Sequence, residues 1–167
     1  MRRDVRVNAV LLQAAWFAAV LGGNTGALAA CAVVAAHVLS RGHPQRDLTI
    51  AAMTAAIGLG VDTAWIWTGV LDFHLAVVAP PWIVALWACV GLSANYAFAP
   101  CVGRPWSAAA IAAVACPLSY LAAASLGALA LPAPPMLAVI AAGWAIVFGV
   151  LLGFIAPFFN RQFEELI

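Results

Sequence analysis

A carboxyl set within an apolar stretch is the costliest kind of residue a chain like this can carry, and Asp62 is one. It lies in the run Leu48–Val70, where an ionised side chain costs a few kcal/mol or more unless it is paired, protonated or wet. At helical spacing Thr54, Gly58, Asp62, Trp65 and Gly69 fall close to one face. The small residues of that face let a neighbouring helix approach while Asp62 points into a bundle. Counted inward from the arginine-bearing ends of their segments, Ser119 and Tyr120 lie at about the depth of Asp62, so either hydroxyl is an expected donor to it. Pro117 beside them frees a backbone carbonyl. Two roles fit such a carboxyl. It handles protons or binds a substrate, or it is a protonated or hydrogen-bonded Asp that only fixes helix register.

Other polar residues give weaker signals. Asp72-Phe73-His74 places a carboxylate and an imidazole two residues apart in a connection, where they would bind a metal, shuttle a proton, or simply be solvated. A metal site needs more ligands than these two. Gln13, Asn95 and the nearby Asn8 belong to apolar runs, where amides bridge helices at around 1 kcal/mol each or line a polar pocket. His37 and His43 fit the capping of carbonyls or the headgroup region better than catalysis. Gly149 and Gly153 form a Gly-x-x-x-Gly ridge suited to close helix packing, within one chain or between two. Cys31, Cys89, Cys101 and Cys116 include no pair at the two-residue gap of a metal or redox motif, which leaves them as small packing residues. The chain has no Gly-x-Ser-x-Gly elbow, phosphate-binding loop or His-Glu-x-x-His pair. No enzyme class is signalled, and no metal or other cofactor is expected.

The elements that must position these residues are transmembrane helices. Of 167 residues 66% are hydrophobic and 8% charged, with a mean hydropathy of +1.07, so lipid has to be the solvent for most of the chain. About 20 apolar residues cross a ~30 Å hydrocarbon core. The breaks in the apolar pattern therefore predict an all-α polytopic bundle of six helices within a single integral membrane domain, 1–167. Their expected ranges are Val5–Leu21, Thr25–Leu39, Leu48–Val70, Pro81–Phe98, Trp106–Leu131 and Pro135–Phe159. Gly22-Gly23-Asn24-Thr25-Gly26 reads as a turn with Thr25 capping the next helix, and Asp47 reads as the cap of the third. Pro80-Pro81 and Pro134-Pro135 suit first helical turns. Trp82 and Trp106 fall near membrane interfaces, where indoles are favoured.

All seven basic residues are arginines, and their positions predict orientation. Arg2, Arg3 and Arg6 precede the first helix, Arg41 and Arg46 join the second and third, Arg104 joins the fourth and fifth, and Arg161 follows the sixth. Short cytoplasmic loops retain arginine and translocated ones lack it, so both termini are expected in the cytoplasm. Arg2, Arg3 and Arg6 followed by apolar residues and Ala27-Leu28-Ala29 imitate a secretory signal. The apolar run resumes at once, and a two-helix hairpin accounts for it without cleavage. A net charge of +1 provides no basic patch and argues against nucleic acid as a partner. The arginine-only, alanine-rich composition resembles that of a GC-rich bacterial genome. No internal repeat is evident, which disfavours inverted-repeat transporters.

Several stretches together resemble a family of bacterial membrane proteins catalogued as domain of unknown function 2878. They are Asn8-Ala9-Val10-Leu11-Leu12-Gln13-Ala14-Ala15-Trp16-Phe17, Gly60-Val61-Asp62, Pro81-Trp82-Ile83-Val84-Ala85-Leu86-Trp87 and Pro117-Leu118-Ser119-Tyr120. The resemblance implies a bacterial inner-membrane location and a compact helical fold, and it brings no catalytic residues with it.

Three functions follow as expectations. In the first, slightly favoured because it needs no enzyme signature, a small carrier or lipid-handling protein uses Asp62, with Ser119 or Tyr120, to line a cavity and sense protonation. In the second, a membrane-embedded enzyme acts on lipid with Asp62, or Asp72 and His74, as acid or base. In the third, an accessory subunit docks a membrane protein partner, or a second copy of itself, through Gly149 and Gly153. Membrane lipids are the expected partners throughout.

Overall fold

In lipid a backbone has to satisfy its own N–H and C=O groups, and the helix does so within one segment. The computed structural model describes residues 2–41, 43–74, 76–131 and 133–164, and every named element among them is helical. These are α1 (Arg2–Leu39), α2 (Pro44–Trp67), α3 (Pro81–Leu92), α4 (Pro105–Ser125), α5 (Met136–Val150) and α6 (Ala156–Glu164). A 3₁₀ turn at Ala99–Cys101 precedes α4, and a π turn at Leu151–Ile155 joins α5 to α6. Four segments, Asp4–Leu39, Pro44–Trp67, Pro105–Ser125 and Met136–Phe163, are long and apolar enough to cross a membrane; Pro81–Leu92 is a shorter apolar helix.

The boundaries differ from the six expected helices in ways the residues explain. The first two are continuous with one another except at Gly23, whose φ of 54° and ψ of −139° leave the helical region. A straight helix from residue 4 to residue 39 would be ~53 Å long, yet the Arg41 guanidinium bonds the Asp4 carboxylate. The chain therefore reverses at Gly23, and the two arms lie side by side. Gly26 makes the reversal tight, since a Cβ there would stand 2.0 Å from the Ala18 carbonyl oxygen. Asp47 is not a cap: the N-cap of α2 is His43, which makes no side-chain cap bond, and Asp47 is buried in the first turn. The fourth expected helix ends at Leu92 instead of Phe98, because the chain tightens into turns over Ser93–Phe98 before Pro100. The sixth is broken by the π turn. Pro157 has no N–H for the Gly153 carbonyl and its ring would clash there, and the wider turn absorbs the mismatch.

The short α3 packs between α1 and α2, while α4 packs along α5. Gly91 lets α3 settle on α2, where a Cβ would meet the Ala51 Cα at 2.6 Å. The two halves meet in an aromatic core of Trp65, Trp82, Trp87, Tyr120, Trp144 and Phe148. The outer surface is apolar: Val10, Leu28, Ile146 and Phe154 are among its exposed side chains. Trp106 is 87% exposed, as an interface anchor would be, but Trp82 is buried edge-on against Phe73.

Polar contacts gather at the two ends of the bundle. At one end Asp4 pairs with Arg41, and separately Arg46, Asp47, Asn95 and Asn160 are linked by hydrogen bonds and an ion pair. At the other, Asp72 and Ala130 exchange both backbone hydrogen bonds, at 3.1 and 2.7 Å. There the His74 ring donates to the Gly127 carbonyl at 2.9 Å, and the Ala79 N–H donates to Thr63 Oγ1 at 3.1 Å.

Candidate functional site

Asp62 is 0% exposed and anchors the centre of the molecule. The Tyr120 hydroxyl of α4 donates to Oδ1 at 2.5 Å, and the Trp87 indole N–H of α3 donates to Oδ2 at 2.8 Å. One carboxyl therefore ties three helices together, and both its oxygens are satisfied where an unbonded one would be costly. Gly58, one turn earlier on the same face of α2, makes the room: a Cβ there would lie 2.2 Å from Trp87 Cδ1. Behind these groups Trp87 stacks on Trp144 with centroids 3.7 Å apart, and Trp65 meets Tyr120 and Trp144 edge-on at 6.2 and 5.6 Å. Gly143 opposes Trp65 in the same way that Gly58 opposes Trp87.

Next to this anchor runs a cleft of about 330 Å³ between the first arm of α1, α3 and α4. That volume is at the small end of ligand pockets. Its walls include Leu12, Trp16, Leu86, Ala112 and Phe148, and among the described residues no charged one lines it. Trp87 and Tyr120 form part of the wall and hold Asp62 on their far side. Asp62 itself does not reach the cleft, so the expectation that it lines a cavity is replaced by one in which it fixes two residues that do. The cleft opens sideways. Ala9 and Gln13 of α1 and Ile111 and Ala115 of α4 line it and are also exposed on the apolar outer surface.

The other anticipated residues divide clearly. Ser119 lines the cleft instead of bonding Asp62, because it sits about 100° around α4 from Tyr120. Gln13 lines it as well. Asn95 belongs to a separate cluster near the arginine-bearing end, where Asp47, 1% exposed, accepts from Arg46 Nε at 2.9 Å, Asn95 Nδ2 at 3.2 Å and the Tyr96 hydroxyl at 3.1 Å. Asn160 donates to Asn95 at 2.9 Å, and Asn8 Oδ1 accepts the Ala97 N–H at 3.2 Å. Asp72 and His74 brace the loop at the opposite end. Gly149 and Gly153 are used within the chain, where α5 and the π turn close on the start of α4. A Cβ on Gly153 would stand 2.5 Å from Pro105 Cβ, and one on Gly149 would make ordinary contact at 3.4 Å. Among the described residues no three His, Cys, Asp or Glu side chains come together as a metal site.

Sequence reasoning misses Trp87 as a partner of Asp62 and misassigns Asp47. Trp87 has a signal in hindsight, an indole in mid-segment instead of at an interface, opposite a glycine one turn from a buried carboxyl. Asp47 read as a helix cap because a carboxylate beside a helix start ordinarily is one.

Apolar helices of membrane-spanning length, an apolar exterior and a buried polar anchor define a helical membrane protein. Within that class the chain belongs to the family described as Protein of unknown function (DUF2878), whose model matches residues 5–150. No curated protein and no solved structure matches it.

Proposed function

We propose that the protein is a lipid-handling protein of the bacterial inner membrane that admits an apolar chain sideways into the cleft between α1, α3 and α4. The observation that carries this is the cleft itself: uncharged, mostly apolar, and open on the face a bilayer would cover. An acyl or isoprenoid chain gains ~0.8 kcal/mol per CH₂ removed from water but little on leaving lipid. Residence in the cleft thus depends on shape and on the rigid wall that Asp62 holds through Tyr120 and Trp87. Asp62 is a positioning residue here, since two side chains stand between it and a bound chain.

The same reading gives the chain six crossings with both termini in the cytoplasm. It is supported by the reversal at Gly23 and by the gathering of Asp4, Arg41, Arg46 and Asn160 at one end, which the arginine rule assigns to the cytoplasm.

The test compares lipid extracts of cells lacking the protein, cells with the wild type restored, and cells carrying Ala115→Trp, which fills the mouth of the cleft. The expected result is a lipid change repaired by wild type and not by the variant. Full repair by Ala115→Trp would overturn the proposal.

A further inference from the structure

The cleft contains two polar side chains that the protein leaves unused. Neither the Gln13 amide nor the Ser119 hydroxyl makes a side-chain hydrogen bond among the described residues, and both line the same uncharged cleft. Unbonded amide and hydroxyl groups are costly where neither water nor backbone can serve them, and a serine within a helix commonly bonds the carbonyl four residues back.

Their depth restricts what a partner group can be. Gln13 is ~13 Å along its arm from Asp4 and ~15 Å from Gly23, while Ser119 is ~21 Å from Pro105 and ~9 Å from Ser125. Both therefore lie well inside the hydrocarbon region, away from the headgroup boundary. The ester oxygens of a glycerolipid sit at that boundary and do not reach them. A charged group is disfavoured as well, because among the described residues no arginine or carboxylate lines the cleft to pair with it.

Resting on the lipid-cleft reading above, we infer that the cleft selects an apolar chain bearing an uncharged oxygen function, a carbonyl or hydroxyl, within the hydrocarbon region, bonded by Gln13 or Ser119. Two lipid sources supply that chemistry: an acyl chain oxygenated partway along its length, and the ring of an isoprenoid quinone drawn inward. Trp16, Trp82, Phe98 and Phe148 in the walls provide faces and edges for a planar ring, whereas the hydrogen bonds serve either source.

The experiment measures retention of radiolabelled probes by the full chain in nanodiscs against empty nanodiscs. The probes are methyl stearate, methyl 10-ketostearate and a decyl-tailed benzoquinone. At least one oxygenated probe is expected to bind about fivefold or more tighter than methyl stearate, as one hydrogen bond at typical strength gives. The tighter of the two identifies the source. One of Gln13→Leu and Ser119→Ala should remove most of that preference, and Ser119→Thr, which keeps the hydroxyl, should retain what Ser119 supplies. Equal binding of all three probes would overturn this inference and leave the lipid cleft standing. So would a preference that survives both variants. Retention of none would overturn the lipid cleft and this inference together.

Discussion

Asp62 accepts one hydrogen bond on each carboxyl oxygen, and that bidentate use distinguishes its role from that of a single polar contact. Asp62→Asn keeps an oxygen for one donor and turns an N–H₂ toward the other, so one of Tyr120 and Trp87 loses its acceptor in a dry interior. A cost of about 1–3 kcal/mol is expected, read as a lower unfolding temperature in detergent. Tyr120→Phe should cost a similar amount by leaving Oδ1 unbonded. Because the Trp87 N–H can only donate, the amide oxygen goes to it and the N–H₂ to Tyr120, so both changes alter the Tyr120 contact and the double variant should cost clearly less than the sum; strict additivity would mean the contact is not made. The carboxyl's importance and a hydroxyl partner from Ser119 or Tyr120 are legible in sequence from depth alone, but not which of the two makes the bond. Trp87 is not, since nothing in a linear pattern says which face of a uniformly apolar helix turns toward Asp62.

At the scale of elements, the glycines separate real close approaches from permissive ones. A Cβ on Gly153 would meet Pro105 far inside ordinary contact and one on Gly149 would not. Gly153→Ala should therefore destabilise the α4–α5 pair by about 1–3 kcal/mol, while Gly149→Ala should be neutral or slightly stabilising through helix propensity. Equal effects in thermal unfolding would contradict this packing. The Gly-x-x-x-Gly ridge is visible in sequence, but its partner is not, because the motif fits a helix of the same chain as well as a second copy. Helix boundaries were obscured for a related reason. Continuous hydropathy conceals turns that are made by hydrogen bonding, such as Ser93–Phe98, and the reversal at Gly23 uses one residue where composition predicts a five-residue loop.

For the whole molecule, the sequence makes the all-α membrane class plain, since 66% hydrophobic residues leave no alternative solvent. The cleft is not legible there, because it is the space left where the first arm of α1 and α4 flank α3, and no residue pattern encodes a gap. With native cysteines replaced, single cysteines at Asn24 and Gly127 should react with an impermeant maleimide from outside the cell, and those at Gln45 and Gly103 only after the membrane is opened. Labelling of positions 24 and 45 from the same side would contradict the hairpin crossing. The most direct test of the central claim is the lipid that stays with the purified protein. Native mass spectrometry in a mild detergent should show wild type carrying a lipid that Ala115→Trp lacks, with both proteins equally folded. The same lipid retained at the same level by both would contradict a cleft that holds lipid.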